Sequence, residues 1–212
     1  MEDFVIIPLI QIKSLMELIL FVMVASAVIV IPGPNVMVIV ATTLVHGRRR
    51  GLQTVAGTST AMLIQLAVAA LATASLVAVL ATGLVWLKWC GVVYLLALGL
   101  NLLLTNADGR ATGVSGLGTF QRGFWVSLTN PKTILFFSAF LPQFVSEFEP
   151  YLSQIALLSL IFWLLAVLLD SCYALLAARL VHWLQGRSPN FTRRFSGLVY
   201  LGAGAVLARV EM

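Results

Sequence analysis

The sequence predicts an all-α integral membrane protein with six transmembrane helices arranged as two inverted three-helix repeats, the first and fourth helices being broken at proline. Three observations carry that expectation. Hydrophobic residues make up 60% of the 212 positions and charged residues 10%, with a mean hydropathy of +1.02, a composition that no soluble domain of this size could carry on its surface. The apolar residues come in blocks of roughly twenty to thirty rather than in alternating ten-residue segments, which selects helices over a β-barrel. Two blocks are interrupted, by Ile31-Pro32-Gly33-Pro34-Asn35 and by Leu128-Thr129-Asn130-Pro131-Lys132, where proline removes a backbone donor inside a stretch otherwise long enough to cross a bilayer.

In chain order, residues 1–15 are a lead-in that mixes Glu2, Asp3, Pro8, Gln11 and Lys13 with aliphatics. Met16 is a candidate alternative start, since Glu17 and then unbroken apolar sequence follow it. A cleaved signal ending near Ala25-Ser26-Ala27 is disfavoured: the leader is acidic, and the apolar run continues past that point. The first repeat occupies 16–104. Its first span, 16–45, is too long for one straight crossing and is expected to be broken. His46-Gly47-Arg48-Arg49-Arg50-Gly51 reads as a tight basic turn. The second span, 52–80, carries Thr58, Ala61, Met62 and Gln65 at helical spacing, a small-to-polar stripe. Ala81-Thr82-Gly83 reads as a turn, and Trp86, Lys88 and Trp89 as an interfacial belt before the third span ends near 104.

Residues 105–119, with Gly109, Gly113, Gly116 and Gly118, read as a glycine-rich cytoplasmic linker. The second repeat, 120–212, holds the second break in its fourth span. Asp170 lies in the fifth span, and a second basic loop carries Arg187, Arg193 and Arg194. In the sixth span Gly197, Gly202 and Gly204 would allow close packing on a neighbour.

Orientation follows from the basic residues. Arg48, Arg49, Arg50, Arg110, Arg122, Arg187, Arg193 and Arg194 collect on one side; Lys13, Lys88 and Arg209 fall on the other, with the acidic Glu147 and Glu149. The basic side is expected to be cytoplasmic, which puts both termini in the periplasm and makes the two halves cross in opposite directions. The net charge of +5 is therefore a topology signal, and no nucleic-acid partner is expected. Cys90 and Cys172 read as small buried side chains. His46 and His182 are isolated, and no metal site, cofactor or enzymatic centre is expected.

The breaks carry the chemistry. Pro34 and Pro131 suit the first turn of a helix, and Gly33 and Asn130 suit the preceding cap. About ten apolar residues separate Asn35 from the basic turn and about fourteen separate Lys132 from the acidic loop, so at about 1.5 Å per residue both breaks fall near mid-membrane. Two helix starts meeting there would concentrate partial positive charge, and Lys132 would add a full one, which invites a carboxylate. For a single proline the alternative, a simple kink between packed helices, would be preferred; two matched motifs in opposed halves favour a site. Asp170 is the one acid deep within a span, suited to a substrate ammonium group or to a coupling proton, against a structural ion pair with Lys132 or Arg179. The candidate substrate-binding residues are Gly33, Pro34, Asn35, Asn130, Pro131, Lys132 and Asp170, with Thr58 and Gln65 weaker, and Asp170 is also the candidate for proton coupling. Thr58, Gln65, Asn101, Ser127 and Tyr173 are all of a kind that more often joins helices by hydrogen bonds than binds substrate.

Together, Pro32-Gly33-Pro34-Asn35, the basic turn, Leu87-Lys88-Trp89-Cys90-Gly91 with Tyr94-Leu95 and Leu98-Gly99, and Asn130-Pro131-Lys132 followed by Phe140-Leu141-Pro142-Gln143-Phe144 resemble the LysE/RhtB family of bacterial amino-acid exporters. The resemblance covers nearly everything after Met16. It implies six helices in the inner membrane, export of an amino acid or small derivative, and coupling to the proton gradient, with the lipid bilayer and a small molecule as partners and a homo-oligomer left open. A cationic substrate would favour a second buried acid, and only Asp170 is present, so neutral amino acids such as threonine, homoserine or leucine are expected. The competing expectation is a membrane thiol-disulfide carrier using Cys90 and Cys172, although neither belongs to a Cys-x-x-Cys pair.

Overall fold

The computed structural model describes residues 15–71, 74–104, 116–130, 132–133, 136–146, 150–183 and 189–209, and these are helical throughout apart from short connections. In order they are α1 (Leu15–Val30), α2 (Pro34–His46), α3 (Arg48–Leu71), α4 (Ala74–Leu104), α5 (Gly116–Leu128), a π-helical turn (Phe136–Phe140) running into a 3-10 turn (Leu141–Phe144), α6 (Tyr151–Trp183) and α7 (Pro189–Arg209). Arg48–Ala70 and Tyr151–Leu180 are each long and apolar enough to cross a bilayer, and Lys88–Leu104 is a shorter apolar helix. Met16–Val30 and Pro34–His46 pass as one span only together, bent by 52° at the break. The chain is an all-helical membrane protein.

The first break forms where expected. Ile31 N–H still reaches the Ala27 carbonyl at 3.1 Å, but Pro32 and Pro34 can donate nothing, and the next helical bond is Met37 N–H to Gly33 O at 3.0 Å. Gly33 is extended at the cap and Pro34 opens α2. The basic turn is tighter than expected. Gly47 alone, at φ +79°, separates α2 from α3, donating to the Thr43 carbonyl at 2.8 Å, and Arg48, Arg49 and Arg50 already belong to the next helix.

Several expectations are corrected. Ala81-Thr82-Gly83 is not a turn: α4 runs through it, because a lone glycine is tolerated in a membrane helix whose polar backbone has no other partner. Cys90 and Cys172 are exposed, not buried; on a membrane protein the perimeter faces lipid, so a small apolar side chain is not driven inward. Lys88, read as part of the interfacial belt, is buried. Arg122, counted with the loop charges, stands inside α5. Gly197 and Gly204 are close-packing positions as expected, but Gly202 faces open space. Helix α5 starts at Gly116, within the stretch read as linker. Lys132 and Thr133 are helical after the second break, but the chain then widens into the π-turn. Pro142 cannot continue an α-helical ladder, and the wider turn brings both Phe136 and Phe137 against Phe162, at ring separations of 4.7 and 4.9 Å.

Packing is strongest between α3 and α5 and between α4 and α7. Two apolar cores result. One gathers Phe21, Ala25 and Ile29 of α1, Met62 and Leu66 of α3, Phe136, Phe137 and Leu141, and Ile155, Leu158, Phe162 and Ala166 of α6. The other gathers Val38, Ile39 and Ala41 of α2, Val55 of α3, Val92 and Leu95 of α4, Val126 of α5, Ala174 of α6 and Tyr200, Ala203 and Leu207 of α7. Helix α1 before the first break and the turns after the second feed the first core, whereas α2 after the first break and α5 before the second feed the other; α3 and α6 contribute to both. The breaks therefore lie where the two cores meet.

Candidate functional site

Each break leaves a helix end whose last carbonyls have no partner within the helix, and in hydrocarbon each unsatisfied group costs several kcal/mol. Side chains from distant helices meet that need. At the end of α1, the Tyr173 hydroxyl donates to Val30 O at 2.7 Å and the Lys132 ammonium donates to Ile31 O at 2.6 Å. At the end of α5, Gln65 Nε2 donates to Ser127 O at 3.0 Å and to Leu128 O at 3.2 Å. The cation at the α1 terminus also opposes the negative end of that helix dipole.

The helix starts are braced to one another. Asn130 caps the second break, its Oδ1 accepting the Lys132 amide at 3.1 Å. Its Nδ2 donates to Asn35 Oδ1 at 3.0 Å, and Asn35 Nδ2 donates to Ser127 Oγ at 3.1 Å. Both carboxamides and Ser127 are buried. The amides of Asn35 and Val36 precede the first intrahelical donor of α2, Met37 N–H, and stand at its positive end.

A cavity of about 30 Å³ opens beside this brace, lined by Gly33, Asn35 and Val36 of the first break, Asn130, Lys132 and Thr133 of the second, Asp170 and Ala166 of α6, and Met62, Phe162, Val28 and Ile29. The lining thus mixes polar and apolar side chains, with Phe162, Ala166 and Asp170 on one face of α6. Lys132 lies along Gly33, where an added Cβ would stand 3.5 Å from its Cδ. Asp170 is buried, and among the described residues no ion pair joins it to Lys132, whose ammonium is held by Ile31 instead. Both signs of charge face one small volume without neutralising each other by contact.

Of the sequence-predicted site residues, Gly33, Asn35, Asn130, Lys132 and Asp170 line this cavity, and Pro34 opens the adjoining helix. Pro131 lies outside the described residues. Thr58 and Gln65 are buried on the expected stripe but do not line the cavity: Thr58 bonds Val55 O at 2.9 Å, and Gln65 caps α5. Ser127 and Tyr173 hold helix ends, in keeping with their reading as interhelical bonds. Sequence reasoning did not single out Met62, Phe162 or Ala166 as cavity residues; apolar residues in apolar helices carry no signal for that.

A second polar cluster lies along α5 on the other side of the brace. The Arg122 guanidinium stands close enough to Tyr94 of α4 and Tyr200 of α7 to attract both phenols, while Tyr200 shares a 2.8 Å hydrogen bond with Thr42 of α2. Arg122 and Thr42 both lie eight to nine residues from their breaks, or ~12 Å along the helix axes.

The model of the family described as LysE type translocator matches residues 26–210. The homoserine/homoserine lactone efflux protein of Salmonella typhimurium is 29% identical over 188 residues, covering 84% of this chain and 88% of the relative. The leucine efflux protein of Klebsiella pneumoniae is 35% identical over 128 residues, covering 57% and 59%, and an uncharacterized membrane protein of Vibrio cholerae is 27% identical over 187 residues, covering 85% and 90%. No solved structure matches the chain. With nearly its whole length matched, and with the two broken helices that first suggested the resemblance meeting at one cavity, the chain belongs to the LysE-type translocator family.

Proposed function

We propose that this protein is a secondary active exporter of neutral amino acids in the bacterial inner membrane, driven by the proton gradient. The observation that carries the reading is the shared cavity: Gly33, Asn35, Lys132 and Asp170 come from two separate breaks and a third helix, yet line one small volume. The substrate carboxylate is placed at Lys132 and the free amides that open α2. Asp170 receives the ammonium group or, in the empty carrier, the coupling proton. A single acid suits substrates without a charged side chain, and the efflux relatives named for homoserine and leucine fall in that class.

Six spans in two inverted repeats, with both termini periplasmic, fit this reading. Gln65 of the second span caps the broken helix of the second half, and Tyr173 of the fifth caps that of the first. Gly99 of α4 and Gly197 of α7 meet reciprocally, each placed so that an added Cβ would crowd the other's carbonyl oxygen, at 2.9 and 3.0 Å. A two-fold axis in the membrane plane between the third and sixth spans would produce both relations. The cavity, at about 30 Å³, has room for a water or two and not for an amino acid. Loading therefore requires the halves to part, as alternating access demands.

Neither cysteine lines the cavity, and nothing in its arrangement favours the thiol-disulfide reading. The test is efflux from proteoliposomes with an imposed proton gradient and a panel of amino acids. Asp170→Asn is expected to reduce gradient-driven efflux to background, and full activity in that variant would overturn the role of Asp170.

A further inference from the structure

Most polar groups on the cavity wall are already engaged. Asn130 bonds the Lys132 amide and Asn35, Asn35 bonds Ser127, and the Lys132 ammonium bonds Ile31 O. Thr133 is different. Its residue is buried, it lines the cavity, and its Oγ1 has no hydrogen-bond partner among the described residues.

That orphan hydroxyl stands against the other described threonines, most of which bond their own helix while Thr42 and Thr119 bond side chains of other helices. A threonine in a helix ordinarily returns its hydroxyl to a carbonyl three or four residues back. Thr43 bonds Ile39 O, Thr54 bonds Arg50 O, Thr60 bonds Ala56 O and Thr129 bonds Trp125 O, at 2.7 to 3.1 Å. Thr58 does the same to Val55 O. Thr133 makes no such bond, which leaves a buried donor and acceptor unspent on a residue of the cavity wall.

We propose that Thr133 reads the substrate side chain: its hydroxyl pairs with an oxygen on the side chain of a short neutral amino acid, making the carrier prefer oxygen-bearing side chains to hydrocarbon ones of the same size. The inference rests on the exporter reading above. Lys132 and Asp170 answer the carboxylate and ammonium that all amino acids share, so they cannot discriminate among side chains. Thr133 is the polar group left over. Among the other lining residues, Met62, Phe162 and Ala166 supply apolar surface for the methylenes. A site built to pair with a hydroxyl disfavours the methyl isostere, because the buried partner is then stranded.

The test compares homoserine with norvaline, which differ by a hydroxyl in place of a methyl, in counterflow on proteoliposomes. The wild-type protein is expected to favour homoserine by about tenfold or more. Thr133→Val, which keeps the shape, is expected to remove that preference chiefly by lowering homoserine transport, while Thr133→Ser is expected to keep it. A wild-type ratio near one, or a Thr133→Val variant that slows both substrates equally, would overturn the inference while leaving the exporter reading standing. Failure of the wild-type protein to transport any member of an amino-acid panel would overturn both.

Discussion

Asn130 Nδ2 donates to Asn35 Oδ1 at 3.0 Å, joining two residues 95 apart in sequence. Each asparagine is the residue beside the proline of its own break, and the bond fixes the two helix starts against one another. It is also a directional bond in an environment that offers few others. Moving one half against the other must either carry the pair as a unit or break it.

Removing one member strands the other. Asn35→Ala deprives both Asn130 Nδ2 and Ser127 Oγ of a partner, whereas Asn130→Ala also removes the cap on Lys132 N–H. Each single variant is expected to lose about 1–3 kcal/mol of stability. The double variant should lose less than the sum, with a coupling energy of about 0.5–2 kcal/mol. Unfolding in detergent, followed for the four proteins of the cycle, checks this; strict additivity would show that the bond contributes nothing.

Gln65 separates capping from substrate recognition. Its Nε2 serves two carbonyls at the end of α5, and its side chain is absent from the cavity wall. Gln65→Leu is expected to lower stability by about 1–3 kcal/mol and to reduce the amount of folded protein. The surviving protein should keep its substrate preference and an affinity within about threefold of the parent, since no cavity contact is removed. A large rise in KM with unchanged stability would return Gln65 to the binding site, where its place on a polar stripe first suggested it.

How far the chain could be read in advance depended on the kind of signal each residue carries. Pro32 and Pro34 announce a break by chemistry alone, and counting outward to charged loops set the two breaks at one depth, so Gly33, Asn35, Asn130, Lys132 and Asp170 were legible. Gln65 was legible as an inward-facing residue but not as a cap, because its partners are carbonyls some sixty residues away. Ala81-Thr82-Gly83 misled because small residues that punctuate soluble chains are tolerated inside membrane helices. The cysteines misled because apolar is not the same as interior when the solvent is lipid. Thr133 shows the limit most clearly: its sequence context resembles that of the other helical threonines, and only the geometry distinguishes a hydroxyl that bonds its own helix from one that does not.

Arg122 offers the sharpest contrast between a charge read as topology and a charge used as structure. A loop arginine that only biases orientation would tolerate lysine and would matter little to stability. Arg122 instead reaches both Tyr94 and Tyr200, phenols on two different helices, with Tyr200 buried and bonded in turn to Thr42. Its Nε is buried without a hydrogen-bond partner among the described residues, so the attraction to these two phenols falls to the rest of the guanidinium. Lysine concentrates its donors on one small ammonium and does not reproduce that planar geometry. Both Arg122→Lys and Arg122→Met are therefore expected to lose about 1–3 kcal/mol of stability. Tyr200→Phe should lose less, about 0.5–1.5 kcal/mol, and little more once Arg122 is already replaced, because the two share one network. Thermal unfolding in detergent measures these losses, and labelling of single cysteines placed in the loops reports orientation. If Arg122→Lys proves neutral, or if Arg122→Met changes orientation without changing stability, the guanidinium serves topology and the network across α2, α4, α5 and α7 does not depend on it.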